Sequence, residues 1–137
     1  MLPEQAAQEA VRAYIEAFNT RDANGMADAF NFPHVRLAKG QFTHIETREI
    51  FLARQDEVTR LLEEEGWDHT VLESVEVVHA GDEKVHLALE YTRRHADGVA
   101  YHRFQTLWIA TMLAGHWGIQ FRSSYLTSDA STLGTRS

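Results

Sequence analysis

An α+β fold is predicted by two periodicities that follow one another along the chain and by the turns that separate them. Apolar residues recur at helical spacing through the first half. The second half is rich in Val, Thr, Tyr, Trp and Phe and is cut by three glycine-containing turns. Helices first, then an antiparallel meander, is the order of an α+β domain. The expected arrangement is three N-terminal helices covering the apolar face of an antiparallel sheet. The 137 residues fit one domain, which is expected over 1–126. The Ser/Thr-rich stretch 127–137 lacks periodicity and is expected to form a flexible tail. A chain of this length buries roughly two-thirds of its unfolded surface, so it needs no disulfide or metal staple.

Each element has its own local reason. Ala7, Ala10, Val11, Tyr14 and Phe18 fall on one face of a 3.6-residue helix. Asn19 to Asp22 breaks the pattern, and Asp22 is placed to N-cap a second helix. That helix is expected to turn Met26, Ala27 and Phe30 inward and to stop before Pro33, because the residue preceding a proline resists the α conformation. Two short strands follow, 34–38 and 41–45, around a Lys39–Gly40 turn. A third helix is expected over 48–65, with Ile50, Phe51, Val58, Leu61 and Leu62 as its apolar stripe and Gly66 as its left-handed cap. Strands are expected over 67–79, 84–95, 99–113 and 116–125.

Composition excludes several functions. There is no cysteine, hence no disulfide scaffold, thiolate metal site or thiol nucleophile. The net charge of −7 is opposite in sign to that of a nucleic-acid binder. The first ten residues lack both a positive n-region and an apolar h-region, and no apolar run is long enough to span a bilayer. A cytoplasmic protein without nucleic-acid or membrane partners is expected. The 8 histidines show no metal-ligand spacing, so neither a metal nor a cofactor is expected.

The hairpin turns assign the strand faces, because side chains alternate with period two. Two-residue turns at Asp97–Gly98 and Ala114–Gly115 would gather Leu87, Leu89, Tyr91, Phe104, Trp108 and Phe121 on one face. His86, Glu90, Arg94, Arg103, Arg122 and Ser124 would then lie on the other. Arg93 and His102 would be polar residues on the apolar face. A three-residue turn at Ala80–Asp82 would add His69, Val71, Glu73, Val75 and Val77 to it.

The segment AYIEAFNTRDANGMADAF, the short strand and third helix, and the closing GHWGIQFRSSY together resemble the nuclear transport factor 2-like superfamily over roughly residues 5–126. That superfamily includes ketosteroid isomerase, scytalone dehydratase, limonene epoxide hydrolase and polyketide cyclases. The stretches FNFPHVRLAKG and RRHADG look closest to its uncharacterised members. The resemblance implies that the three N-terminal helices pack in the concave face of a strongly curved antiparallel sheet, a cystatin-like α+β cone, with a ligand pocket between sheet and helices and a homodimer through the outer sheet face. It also implies an oxyanion-binding role for Tyr14 on the first helix. The isomerases' general-base aspartate has Leu37 at its position, and their second acid falls in LWIAT, which contains no acid. Ketosteroid isomerase chemistry is therefore not implied.

Three residues are candidates for catalysis. Tyr14 would polarise an oxygen, and His34 or His102 would move a proton. The competing reading makes Tyr14 a core tyrosine and the histidines hydrogen-bonded or solvated. Ligand-binding candidates are Trp108, Phe104, Phe121, Tyr91, Arg93, His69 and Glu73, since a pocket needs a few convergent polar groups on apolar walls. The function expected is small-molecule binding, with an isomerase, dehydratase or hydrolase acting by proton transfer on an apolar ligand as its catalytic form. The alternative is a non-catalytic binding or dimerisation module whose pocket is filled by side chains.

Overall fold

The computed structural model describes residues 1–126; the tail expected over 127–137 lies outside them. The elements run α1 (Pro3–Asn19), α2 (Ala23–Asp28), β1 (Phe30–Ala38), β2 (Gln41–Ile45), α3 (Arg48–Ala53), α4 (Gln55–Glu65), β3 (His69–Ala80), β4 (Lys84–Arg94), β5 (Ala100–Leu113) and β6 (His116–Ser124). The six strands form one sheet in the order β2-β1-β6-β5-β4-β3. It is a mixed sheet: β1 and β6 run parallel, and the other neighbouring pairs are antiparallel.

Helix α1 lies across the sheet and touches β3, β4, β5 and β6. Its buried stripe of Ala7, Ala10, Val11 and Tyr14 meets Val85, Leu87, Trp108 and Ile119 of the sheet. The small alanines let the helix approach closely. At its C-terminal end, the Asn19 side chain donates to the Thr70 carbonyl at 2.9 Å and accepts from the Thr70 amide at 2.7 Å. One amide side chain thus pairs two backbone groups of the edge strand β3 and pins the helix to it. Asp22 then caps α2 by accepting from the Gly25 amide at 3.0 Å.

The second helix is shorter than its pattern. It ends at Asp28, and Phe30 already belongs to β1. Pro33 therefore interrupts a strand rather than stopping a helix. It is tolerated because β1 leaves register with β6 between Phe30 and Val35, where no ladder amide is needed. The expected third helix is two helices meeting at Arg54. There the Arg54 amide bonds three residues back to Phe51, and the next turn restarts with Val58 on Arg54. The break leaves Phe51 and Leu62 buried, with Gln55 between them, while Ile50 and Leu61 are exposed. Gly66 caps α4 at φ 79° in the left-handed region.

The β4–β5 turn has three residues, with the His95 amide donating to the Val99 carbonyl. A one-residue irregularity at Arg93/Arg94 restores the register, so Tyr91 still faces Phe104 and Arg93 faces His102. In β3, by contrast, the pairing continues to Ala80–Val85 and slips once between Val77 and His79 and again between Leu72 and Ser74. Val75 and Val77 face inward. Beyond the second slip the parity inverts, so Thr70 and Leu72 face inward with Arg93 and Tyr91.

Candidate functional site

The site grows from one register shift. From the β5–β6 turn the pairing runs regularly to Ala110–Ile119; then Ile109 pairs with Phe121 and Trp108 with Arg122. Gln120 is the extra residue. Its side chain leaves the ladder, with Oε1 accepting from the Thr111 hydroxyl at 2.7 Å and Nε2 donating to the Pro33 carbonyl at 3.0 Å. A single extra residue exchanges the two faces for the rest of the strand. Phe121, expected in the pocket, turns outward with Ile109. Arg122 and Ser124, expected outside, turn inward. A Gly within the run WGIQFR is the sequence signal that accompanies such a bulge.

Arg122 is then held from three directions. Its Nε donates to His34 Nε2 at 2.9 Å, and one terminal nitrogen donates to the Tyr14 hydroxyl at 3.3 Å. Its guanidinium lies 5.0 Å from the Phe30 ring centre and 5.5 Å from that of Tyr14. These are cation–π distances. Tyr14 stacks on Phe30 at 4.8 Å and meets Trp108 edge-on at 5.5 Å.

His34 is fully buried and stacked on Phe30 with ring centres 3.9 Å apart. Its Nδ1–H donates to the Ile119 carbonyl at 3.0 Å, so Nε2 is the acceptor for Arg122. Both ring nitrogens are engaged, and the tautomer follows from their partners. Burial, and next the Arg122 charge, push its pKa down to about 2. The imidazole is therefore a neutral support for Arg122, which differs from the acid or base expected of it.

Two cavities flank this cluster, one of about 40 Å³ and one of about 90 Å³. Both are bounded by Tyr14, Phe18, Arg36, Arg93 and Arg122; Tyr91 and Trp108 close the first, and Phe51 and Gln55 the second. Burial raises the Tyr91 hydroxyl above its usual pKa. The hydroxyl has no hydrogen-bond partner among the described residues. Arg93 donates to both Glu65 oxygens at 3.2 Å and lies 4.9 Å from the Phe104 ring centre.

Other expected site residues lie elsewhere. Phe104 is buried behind Tyr91 and Arg93 and does not line either cavity. His102 is exposed at the sheet end, against Tyr101 and Phe104. His69 pairs with Asp68 at 2.9 Å, because the β3 slip turns it away from the hollow. The same slip places Glu73 on the outer face, where its carboxylate accepts from the Thr92 hydroxyl at 2.7 Å and from Arg94 at 2.8 Å. Those two bonds, Thr92 first, hold its pKa below the usual carboxylate range. Sequence reading missed Arg36 and placed Arg122 on the outer face. Among the described residues no group of three or more His, Asp or Glu side chains is placed to hold a metal ion. No helix among them is long and apolar enough to cross a membrane.

A helix-filled α+β cone with a polar cluster in its hollow defines the nuclear transport factor 2-like class of domain. The chain belongs to the family described as NTF2-like protein (DUF6841), whose model matches residues 4–125. No curated protein matches it. Among solved structures it resembles an NTF2-like protein with a cystatin-like fold from Novosphingobium aromaticivorans. That pair has a TM-score of 0.75 and 14% identity, over 94% of this chain and 84% of the other. It also resembles a ketosteroid isomerase-like protein from Erwinia carotovora atroseptica, with a TM-score of 0.67 and 19% identity over 90% and 95% of the two chains. A third is a Catenulispora acidiphila structure in complex with S-DNPA, with a TM-score of 0.67 and 14% identity over 90% and 92%. At these identities the likeness is one of fold.

Proposed function

We propose that this protein is a small-molecule-binding domain whose ligand sits between α1 and the sheet, against Tyr14, Tyr91, Trp108 and Arg122. The observation that carries this reading is the pair of cavities walled by aromatic rings and by hydrogen-bond donors that lack acceptors among the described residues. Tyr14 accepts from Arg122, which leaves its own proton free for a ligand oxygen. Binding is favoured over proton-transfer catalysis, because His34 is locked neutral and no carboxylate among the described residues lines either cavity. The Catenulispora structure in complex with S-DNPA supports small-molecule binding as a use of this fold. A cytoplasmic location fits the same reading.

The test is titration with single-ring probes, neutral and charged, followed by tryptophan fluorescence and thermal shift. Saturable binding is expected in the native protein and is expected to vanish in Ile15→Trp, whose indole would fill the first cavity, which Ile15 lines. The small volumes favour a second reading, a module whose hollow is closed by its own side chains. Absence of saturable binding by every probe would establish it over the first.

We also propose a homodimer through the outer sheet face, where Ile109 and Phe121 are paired and Leu107 lies nearby. Sedimentation at micromolar concentration should show twice the chain mass. A monomer there would dismiss the dimer.

A further inference from the structure

Arg36 and Arg122 are direct partners on the parallel strands β1 and β6, and both line the hollow. Like charges placed opposite one another on a sheet face are destabilising unless an anion lies between or beside them. Arg122 is fastened through Nε and one terminal nitrogen, so the remaining N–H groups of its five have no acceptor among the described residues. Arg36 has no hydrogen-bond or ion-pair partner among them either. The buried Nε of Arg93 is likewise unpaired. Arg54 adds a fourth cation to the second cavity, and no Asp or Glu among the described residues lines either cavity. This concentration of cations occurs in a chain of net charge −7. Burial, and next the Arg122 charge, lower the pKa of Arg36 to about 10, a sign of a cation short of compensation.

We propose that the hollow binds a small organic carboxylate with a single apolar ring or a chain of similar bulk, its carboxylate held by Arg36 and Arg122 and its body packed on Tyr14 and Trp108. Planar guanidinium groups match the two oxygens of a carboxylate, and the aromatic walls suit an apolar body rather than a bare inorganic anion. The two cavities share Tyr14, Phe18, Arg36, Arg93 and Arg122 as walls, so a ligand in either meets the same guanidinium groups. This inference rests on the ligand-binding reading and names the ligand class.

The decisive comparison is benzoate against benzamide, equal in shape and different in charge, by calorimetry and thermal shift at low ionic strength. Benzoate is expected to bind at least tenfold more tightly and to weaken as salt is added. In Arg36→Met the preference of benzoate over benzamide should collapse, and the ligand-free melting temperature should lie above native. Arg36→Lys, should the methionine variant fail to fold, is expected to keep only part of the preference. Equal binding of benzoate and benzamide would overturn the carboxylate inference and leave the ligand-binding reading standing. Absence of binding by both would overturn the two together. Inorganic phosphate displacing benzoate at equal concentration would overturn the organic-carboxylate class. Full benzoate preference in both Arg36 variants would overturn the role of Arg36.

Discussion

Gly118→Ala is expected to destabilise the protein by about 3 kcal/mol. A methyl group built at Gly118 would lie 2.6 Å from the Phe30 carbonyl carbon, 2.7 Å from its oxygen and 2.8 Å from the Asn31 nitrogen. All three are backbone atoms, so no side chain can swing aside. Relief requires β1 and β6 to separate where the Ile119 amide donates to the Ala29 carbonyl at 2.8 Å. For a domain of this size such a loss lowers the melting temperature by roughly 10 °C. Hydrogen exchange should also show the Ile119 amide losing protection. Gly98→Ala is the control. Its φ of +87° makes alanine unfavourable, but nothing lies within 4 Å, so it should cost only about 1 kcal/mol. Equal losses in the two variants would show that backbone crowding at Gly118 is not what matters.

Acid should destabilise the fold through His34. In the folded state its pKa is held down to about 2, whereas in the unfolded chain it is near 6.5. Between those values the unfolded state binds a proton that the folded state refuses. Stability is therefore full above about pH 6.5 and falls as pH drops below it, by up to about 1.4 kcal/mol per pH unit. At pH 4.5 the loss amounts to about 2–3 kcal/mol. Denaturant unfolding of the native protein and of His34→Gln at pH 7 and 4.5 isolates the effect, because other titrating groups are common to both. The variant should lose less stability on acidification by that amount. The same loss in both would remove His34 as the cause.

Much of the architecture was legible because it rests on local chemistry. The α1 stripe, the Asp22 cap, the Gly66 cap and the glycine turns act within a few residues of themselves, and each element they delimit is present. The boundaries that shifted did so where tertiary pairing overrode local preference. Phe30 left the second helix for β1, and Arg54 became a junction that buries Phe51 and Leu62 together. The hollow was legible only in part. Tyr14 could be placed by helical spacing, and Trp108, Tyr91 and Arg93 by parity from the turns, the last two because the Arg93/Arg94 irregularity offsets the third turn residue. Phe121, His69 and Glu73 could not, because each lies on the far side of a bulge from the turn used to count.

The order of helices and strands, the absence of thiol chemistry, the acidic exterior and the apolar face that needs covering follow from the sequence alone, since all depend on residue type and short-range spacing. Which polar groups enter the hollow was decided only by the tertiary structure. Alternation along a strand carries parity but no record of where one residue is skipped, and Gln120 is skipped because it finds Thr111 and Pro33 across the sheet. That one displacement turns Arg122 inward to face Arg36 and makes the site cationic.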